Sequence, residues 1–99
     1  MRLISVGASP YGAGVDAGRL LQRLGRGSLS NVAFEGMCKL VEAFGFDLRR
    51  VSGSHHIFSQ PSVAELINFQ EIDGQAKPYQ IRQFLKLVER YALTLEDRG

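Results

Sequence analysis

Two adjacent histidines, His55 and His56, are the only ones in the chain, and both follow directly on Gly53 and Ser54 in the run GSHHIF. Histidine is the one side chain whose ordinary pKa, about 6.5, lets it take and give a proton near neutrality. A glycine and a serine ahead of the pair permit a sharp turn, which leaves the first ring at a sheet edge within reach of a substrate. The chemistry on offer is proton transfer rather than metal binding. With no third histidine and only one distant cysteine, Cys38, the ligands for a zinc site are missing. Consecutive strand residues point to opposite faces, so the two rings cannot share one pocket unless the turn distorts them. Packing offers competing accounts, with His56 filling the pleat beside Phe58 and His55 capping the turn. From the residues alone, those accounts stand beside a catalytic His55.

A second set of residues suits an anion. Lys77 precedes Pro78 at the start of a helical pattern, where free backbone N–H groups and the positive end of the helix dipole already favour negative charge. Arg82, Lys86 and Arg90 recur every four residues along that helix, a stripe able to track a phosphate backbone. An ordinary solvated helix face has the same pattern, and Glu89 lies nearby in sequence. Arg49 and Arg50 are consecutive in a strand, so strict alternation allows at most one of them on the face of His55. Tyr79 and Tyr91 are expected in the core or at its rim. Gln60, Asn68, Gln70 and Gln75 are expected as polar surface positions.

These residues need a scaffold, and 99 residues suffice for one domain, not two. At 44% hydrophobic and 22% charged the composition is that of an ordinary globular chain with a small core. A single cysteine excludes an intrachain disulfide, places Cys38 as a small buried hydrophobe, and fits a reducing cytoplasm. No apolar run approaches the roughly 18 residues of a membrane span, and no secretory signal is expected at the N-terminus. The formal net charge of +2 is unevenly spread. Residues 1–29 hold four arginines against Asp16, whereas residues 30–99 hold eight Lys or Arg against nine Asp or Glu, a net of −1. Nucleic-acid binding by the core therefore has to rest on local patches.

Residues 1–29 carry six of the eleven glycines. GASPYGAG lacks the Lys-Ser/Thr of a phosphate loop, and the segment is expected to be a flexible extension, or translation from a start codon upstream of the true one. VDAGRLLQRLG allows a short amphipathic turn or two, limited by Gly18 and Gly25. An arginine-bearing arm touching nucleic acid is the functional alternative. From Ser30 or Asn31 as cap, Phe34, Met37, Val41 and Phe44 recur at helical spacing, with Cys38 and Leu40 flanking them, and Gly45 ends the helix. FDLRRV, HHIFSQ and ELINFQEI follow as strands, joined by SGS and PSVAE and ended by Asp73-Gly74. A last helix, YQIRQFLKLVERYAL, presents Ile81, Phe84, Leu85, Val88 and Ala92 on one face, with Pro78 at its first position. Helix, three antiparallel strands and helix, with both helices on one face, make an α+β two-layer sandwich. The division expected is an extension over 1–29, a domain over 30–95 and a tail over 96–99.

LVEAFGFDLRRVSGSHHIF and GQAKPYQIRQFLKLVERYAL, within about residues 32 to 93, resemble the HicA (YcfA-like) family of bacterial toxins. The Gly-Phe ahead of the first strand and the Gly-Ser-His at the strand junction, in this order of elements, carry the resemblance. It implies a double-stranded-RNA-binding-like fold and the toxin of a type II toxin–antitoxin system, a ribonuclease that cleaves mRNA. It also implies a HicB-like antitoxin that covers the active site. The family's active histidine is the first after Gly-Ser, here His55; the next position varies, so His56 does not inherit the role. The glycine-rich extension has no counterpart in small members of the family. On this footing His55 is expected to serve as general base on a ribose 2′-OH or as general acid on the leaving oxygen, with no metal or other cofactor. Lys77 and the helix end are expected to hold the scissile phosphate, Arg82 and Lys86 to guide the flanking backbone, and Gly53 and Ser54 to complete the RNA contacts. The alternative is a non-catalytic module of the same fold that binds RNA or a partner protein. A third reading is a purely structural interaction protein.

Overall fold

Three apolar patterns, two of helical period and one of strand period, converge on a single core. In a computed structural model, which describes residues 2–3 and 16–95, the elements run β1 (Arg2–Leu3), α1 (Ala17–Gly25), α2 (Phe34–Ala43), β2 (Asp47–Ser52), β3 (His55–Gln60), β4 (Val63–Ile72), β5 (Gln75–Ala76) and α3 (Pro78–Arg90). The run GASPYGAG and the tail 96–99 lie outside the described residues. The sheet is antiparallel throughout, in the order β1-β2-β3-β4-β5. The three expected strands form its centre, and two-residue strands extend each edge. Those additions are too short to leave a period in the sequence.

Helices α2 and α3 cover one face of the sheet, as expected for the two-layer α+β sandwich. Phe84 of α3 meets Phe44, Phe46 and Phe69 edge-on, at ring-centroid distances of 5.6, 5.8 and 6.0 Å. Phe34, Met37, Cys38, Leu40 and Val41 of α2 are all buried against the same layer. Burying such side chains contributes roughly 1.5–3 kcal/mol each, which is why the two helical stripes share a face. Gly45 ends α2 with φ +93°, a conformation a side chain disfavours. Asn31, expected as a cap, sits instead in a turn at φ +58°. The two residues after it join β5 first, through Ala76 N–H to the Val32 carbonyl at 3.0 Å and a bridge between Ala33 and Gln75. Sheet pairing thus delays the helix to Phe34. Ala92, expected on the inner face of α3, lies past the helix end at φ +51° and is exposed.

Within the segment expected as a flexible extension, residues 17–25 form helix α1. Asp16 caps it by accepting from the Arg19 N–H at 3.1 Å. Leu24 is 2% exposed, and Leu20 and Leu21 pack against the core beside it. Arg23 donates to the Ser30 carbonyl at 2.6 Å and ties the connection to α2. Burial of Leu24 offsets the roughly 1 kcal/mol that Gly18 costs a helix interior.

Candidate active site

GSHHIF begins at the β2–β3 hairpin. Ser52 and His55 are its closing pair, so Gly53 and Ser54 form a two-residue loop. Favoured loops of that length need positive φ at the first position, and Gly53 supplies it at +58°. The Glu71 N–H donates to the Ser54 carbonyl at 3.0 Å and moors the turn to β4. His55 is therefore the first residue held by ladder pairing on both sides, opposite Ser52 of β2 and Gln70 of β4.

The pleat then sends the two rings apart. Phe58 is fully buried under the helices, so His56, two residues earlier, faces the same way. Its ring meets Phe34 of α2 edge-on at 4.7 Å, the packing account offered for it above. His55 faces the side of the sheet away from α2 and α3, half-buried, with Nδ1 3.1 Å from Oδ1 of Asn68. Asn68 is exposed between the buried Ile67 and Phe69, so it emerges on that face too. Expected merely as polar surface, it is the side chain that the structure sets in hydrogen-bond contact with His55.

A β-bulge changes the charge of this face. Leu48 pairs with Phe58 but Arg50 pairs with Ile57, which leaves Arg49 as an extra residue in β2. Leu48 is buried and Val51 packs on the core, while Arg49 and Arg50 between them are both exposed. Strict alternation allowed one arginine outside; the bulge puts two there, beside the strand that carries His55.

The cations of α3 are distributed differently. Lys77 occupies the position before Pro78, its ammonium 5.8 Å from the centroid of the Tyr79 ring. It lines an open depression of about 340 Å³ with Ile72, Asp73, Gln75, Ala76 and Pro78. His55 does not line this depression. Gln70, the β4 partner of His55, donates its N–H to Oε1 of Gln80 at 2.8 Å, which ties the strand beside His55 to the first turn of α3. Tyr79, expected in the core or at its rim, is 51% exposed beside this junction.

Arg82 and Lys86 are exposed on α3, on the side opposite the buried Ile81 and Phe84. They crown the helix layer, whereas His55 faces out of the sheet layer, so the structure does not bring them together. Arg90, the third member of the stripe, is engaged with Glu65 at 2.7 Å, and Glu65 also accepts from the Tyr91 hydroxyl. That hydroxyl, with the Arg90 charge beside it, holds the Glu65 carboxyl below the ordinary value of 4.5. The same bond pushes the Tyr91 phenol above 10.0. This cluster clamps the end of α3 to β4.

Asn68 had a signal in the sequence. A regular ladder counted back from the Gln60–Val63 pair sets Asn68 opposite His55, and the irregularity in β4 slides the register by two residues, which keeps the face unchanged. Among the described residues no group of three or more His, Cys, Asp or Glu is gathered to hold a metal ion. Among them also, no helix is long and apolar enough to cross a membrane.

Comparison with known proteins agrees with this architecture. The model of a family described as the HicA toxin of bacterial toxin-antitoxin matches residues 35–89, from the first turn of α2 almost to the end of α3. No curated protein and no solved structure matches the chain.

Proposed function

Since the chain belongs to the HicA toxin family, whose members pair with HicB-type antitoxins, we propose that it is an endoribonuclease that cleaves mRNA in the cytoplasm with His55 as its proton-transfer group. The observation that carries this reading is the setting of His55. It stands on the face of the sheet away from α2 and α3, fixed by two ladders, with Arg49 and Arg50 exposed on the neighbouring strand. Residues 30–95 form the catalytic domain in this proposal.

His55 takes the proton of a ribose 2′-OH, and the 2′ oxygen attacks the adjacent phosphorus. A P–O2′ bond forms and the P–O5′ bond breaks. The departing 5′ oxygen takes a proton from water, and the histidinium returns its own proton to the hydroxide left behind. The products are a 2′,3′-cyclic phosphate and a 5′-hydroxyl, and no metal is needed in the balance. Arg49 and Arg50 steer the phosphate backbone across the sheet. Lys77, just past β5, receives a phosphate farther along the backbone, with the positive end of the α3 dipole behind it. Gly53 and Ser54 let the strand come close to His55, while Arg82 and Lys86 guide RNA that continues around the edge of β4 onto the helix layer. The HicB-type antitoxin silences the toxin by covering the face of His55, where Leu66 and Ile72 are 61% and 43% exposed. Proton transfer by one group supplies about 10²–10⁴-fold, so slow turnover is expected.

The test is cleavage of a long, mostly single-stranded RNA in EDTA by the full chain, by His55→Ala and by His56→Ala. Loss of turnover in His55→Ala with RNA still bound, and cyclic-phosphate ends that vanish when the scissile ribose is 2′-deoxy, are the expected results. Cleavage that survives in His55→Ala removes the mechanism. RNA binding without cleavage by the unmodified chain points to a binding module instead.

A further inference from the structure

Imidazole has two nitrogens, and a general base needs the lone pair on the one that faces its substrate. In the neutral ring one nitrogen carries hydrogen and the other accepts, and a partner on either side decides which. Here the partner is an amide oxygen 3.1 Å from Nδ1, and such an oxygen only accepts. We propose that Asn68 is a positioning residue that holds His55 as the Nδ1–H form and so leaves Nε2 as the base. This rests on the reading of His55 as the proton-transfer group.

The backbone geometry makes Asn68 suited to the task. Its neighbours Ile67 and Phe69 are 6% and 0% exposed and pin β4 from the core side, so the strand that carries the amide is held in place. Asn68 pairs with Ile57 and lies diagonally across from His55, within reach of a side chain on the same face. When Nε2 takes a proton the ring becomes a cation, and its Nδ1–H bond to the amide oxygen becomes charge-assisted and stronger. The amide therefore favours the transition state over the ground state, which is the condition for acceleration. An orienting acceptor behind a histidine base recurs on unrelated folds for the same reason, with a carboxylate or an amide in the part.

The experiment uses full-length chain labelled with ¹⁵N in histidine, read by long-range ¹H–¹⁵N correlation at a pH where the rings are neutral. The unmodified protein is expected to show a protonated Nδ1 and a bare Nε2 at His55. Asn68→Ala is expected to give a mixture of both forms, whereas Asn68→Asp, whose carboxylate also only accepts, restores the first pattern. On RNA, Asn68→Ala is expected to lower kcat about 10–100-fold with KM little changed, by analogy with the loss when partners that orient metal-bound histidines are removed, and Asn68→Asp to recover most of it. A protonated Nε2 in the unmodified protein, or a ring pattern indifferent to Asn68→Ala, overturns the proposal. The ring spectra do not depend on turnover. If the unmodified chain cuts no RNA, the ribonuclease reading fails while the spectra still decide what Asn68 does.

Discussion

Deleting one residue from the middle of a β-strand normally turns every later side chain to the other face. Deletion of Arg49 is expected to be an exception. Leu48 already pairs with Phe58 and Arg50 with Ile57, so removing the unpaired residue joins two correct pairs into a regular ladder. Leu48 and Val51 stay on the core side and no apolar group is exposed. The cost is then close to that of a surface change, about 0.5–1 kcal/mol. Deletion of Ile57 from β3 is the control, because His55–Phe58 pair residue for residue with β4 and β3 itself has no residue to spare there. Either Phe58, which is 0% exposed, or His56 must then leave the core. Losing a buried phenylalanine costs about 3–5 kcal/mol, a large share of the ~5–15 kcal/mol that holds a domain folded. For a chain of this size 1 kcal/mol moves Tm by about 4–8 °C. Thermal melts followed by circular dichroism should therefore show the Arg49 deletion within about 8 °C of the parent and the Ile57 deletion at least about 12 °C lower, or unfolded. If the two deletions are equally damaging, the bulge does not set the register and the placement of both arginines outside falls with it.

Three further outcomes are expected. Arg49→Ala and Arg50→Ala should each reduce the slope of log binding constant against log salt for single-stranded RNA by about 0.7, with no change in melting, as measured by fluorescence anisotropy; an unchanged slope removes them from the RNA contact. Phe84→Ala should destabilise the domain by about 3–5 kcal/mol in urea titrations, because one ring touches three others at the seam of α3 and the sheet; a loss below 1 kcal/mol contradicts that packing. The Tm gap between the parent and Glu65→Gln should be full above pH 4.5 and close as the pH falls through the lowered value of the folded Glu65, since a depressed carboxyl stabilises only while ionised. The raised Tyr91 works in the opposite direction, with its contribution complete below pH 10.0 and lost as the pH climbs through its folded value; a gap that widens in acid reverses the assignment.

The central elements were legible in the sequence because their signals are local and repeated. Apolar residues at helical spacing marked α2 and α3, Pro61 and Asp73-Gly74 bounded the strands, and Gly45 stopped a helix where glycine alone accepts the backbone cheaply. GSHH at a hairpin was enough to separate the two histidines, since the pleat alone requires that they part. Helix α1 was only partly legible. Leu20, Leu21 and Leu24 lie on one side after an Asp16 cap, but nine residues with two glycines are too few to predict a helix without the surface they bury against.

The sequence by itself determined the α+β order of elements, the single core and the candidacy of His55, each of which follows from the period of a pattern or the chemistry of one residue. Only the tertiary structure decided what surrounds that histidine. A bulge is one unpaired residue whose presence depends on what the partner strand does opposite it, so two arginines outside could not be counted from β2 alone. The amide of Asn68 reaches His55 through a register set between strands, and Arg82 and Lys86 crown the other layer because α3 must bury Ile81 and Phe84. Periodicity belongs to a segment, but which segments face each other is a property of the packed core, and the site is made of such facings.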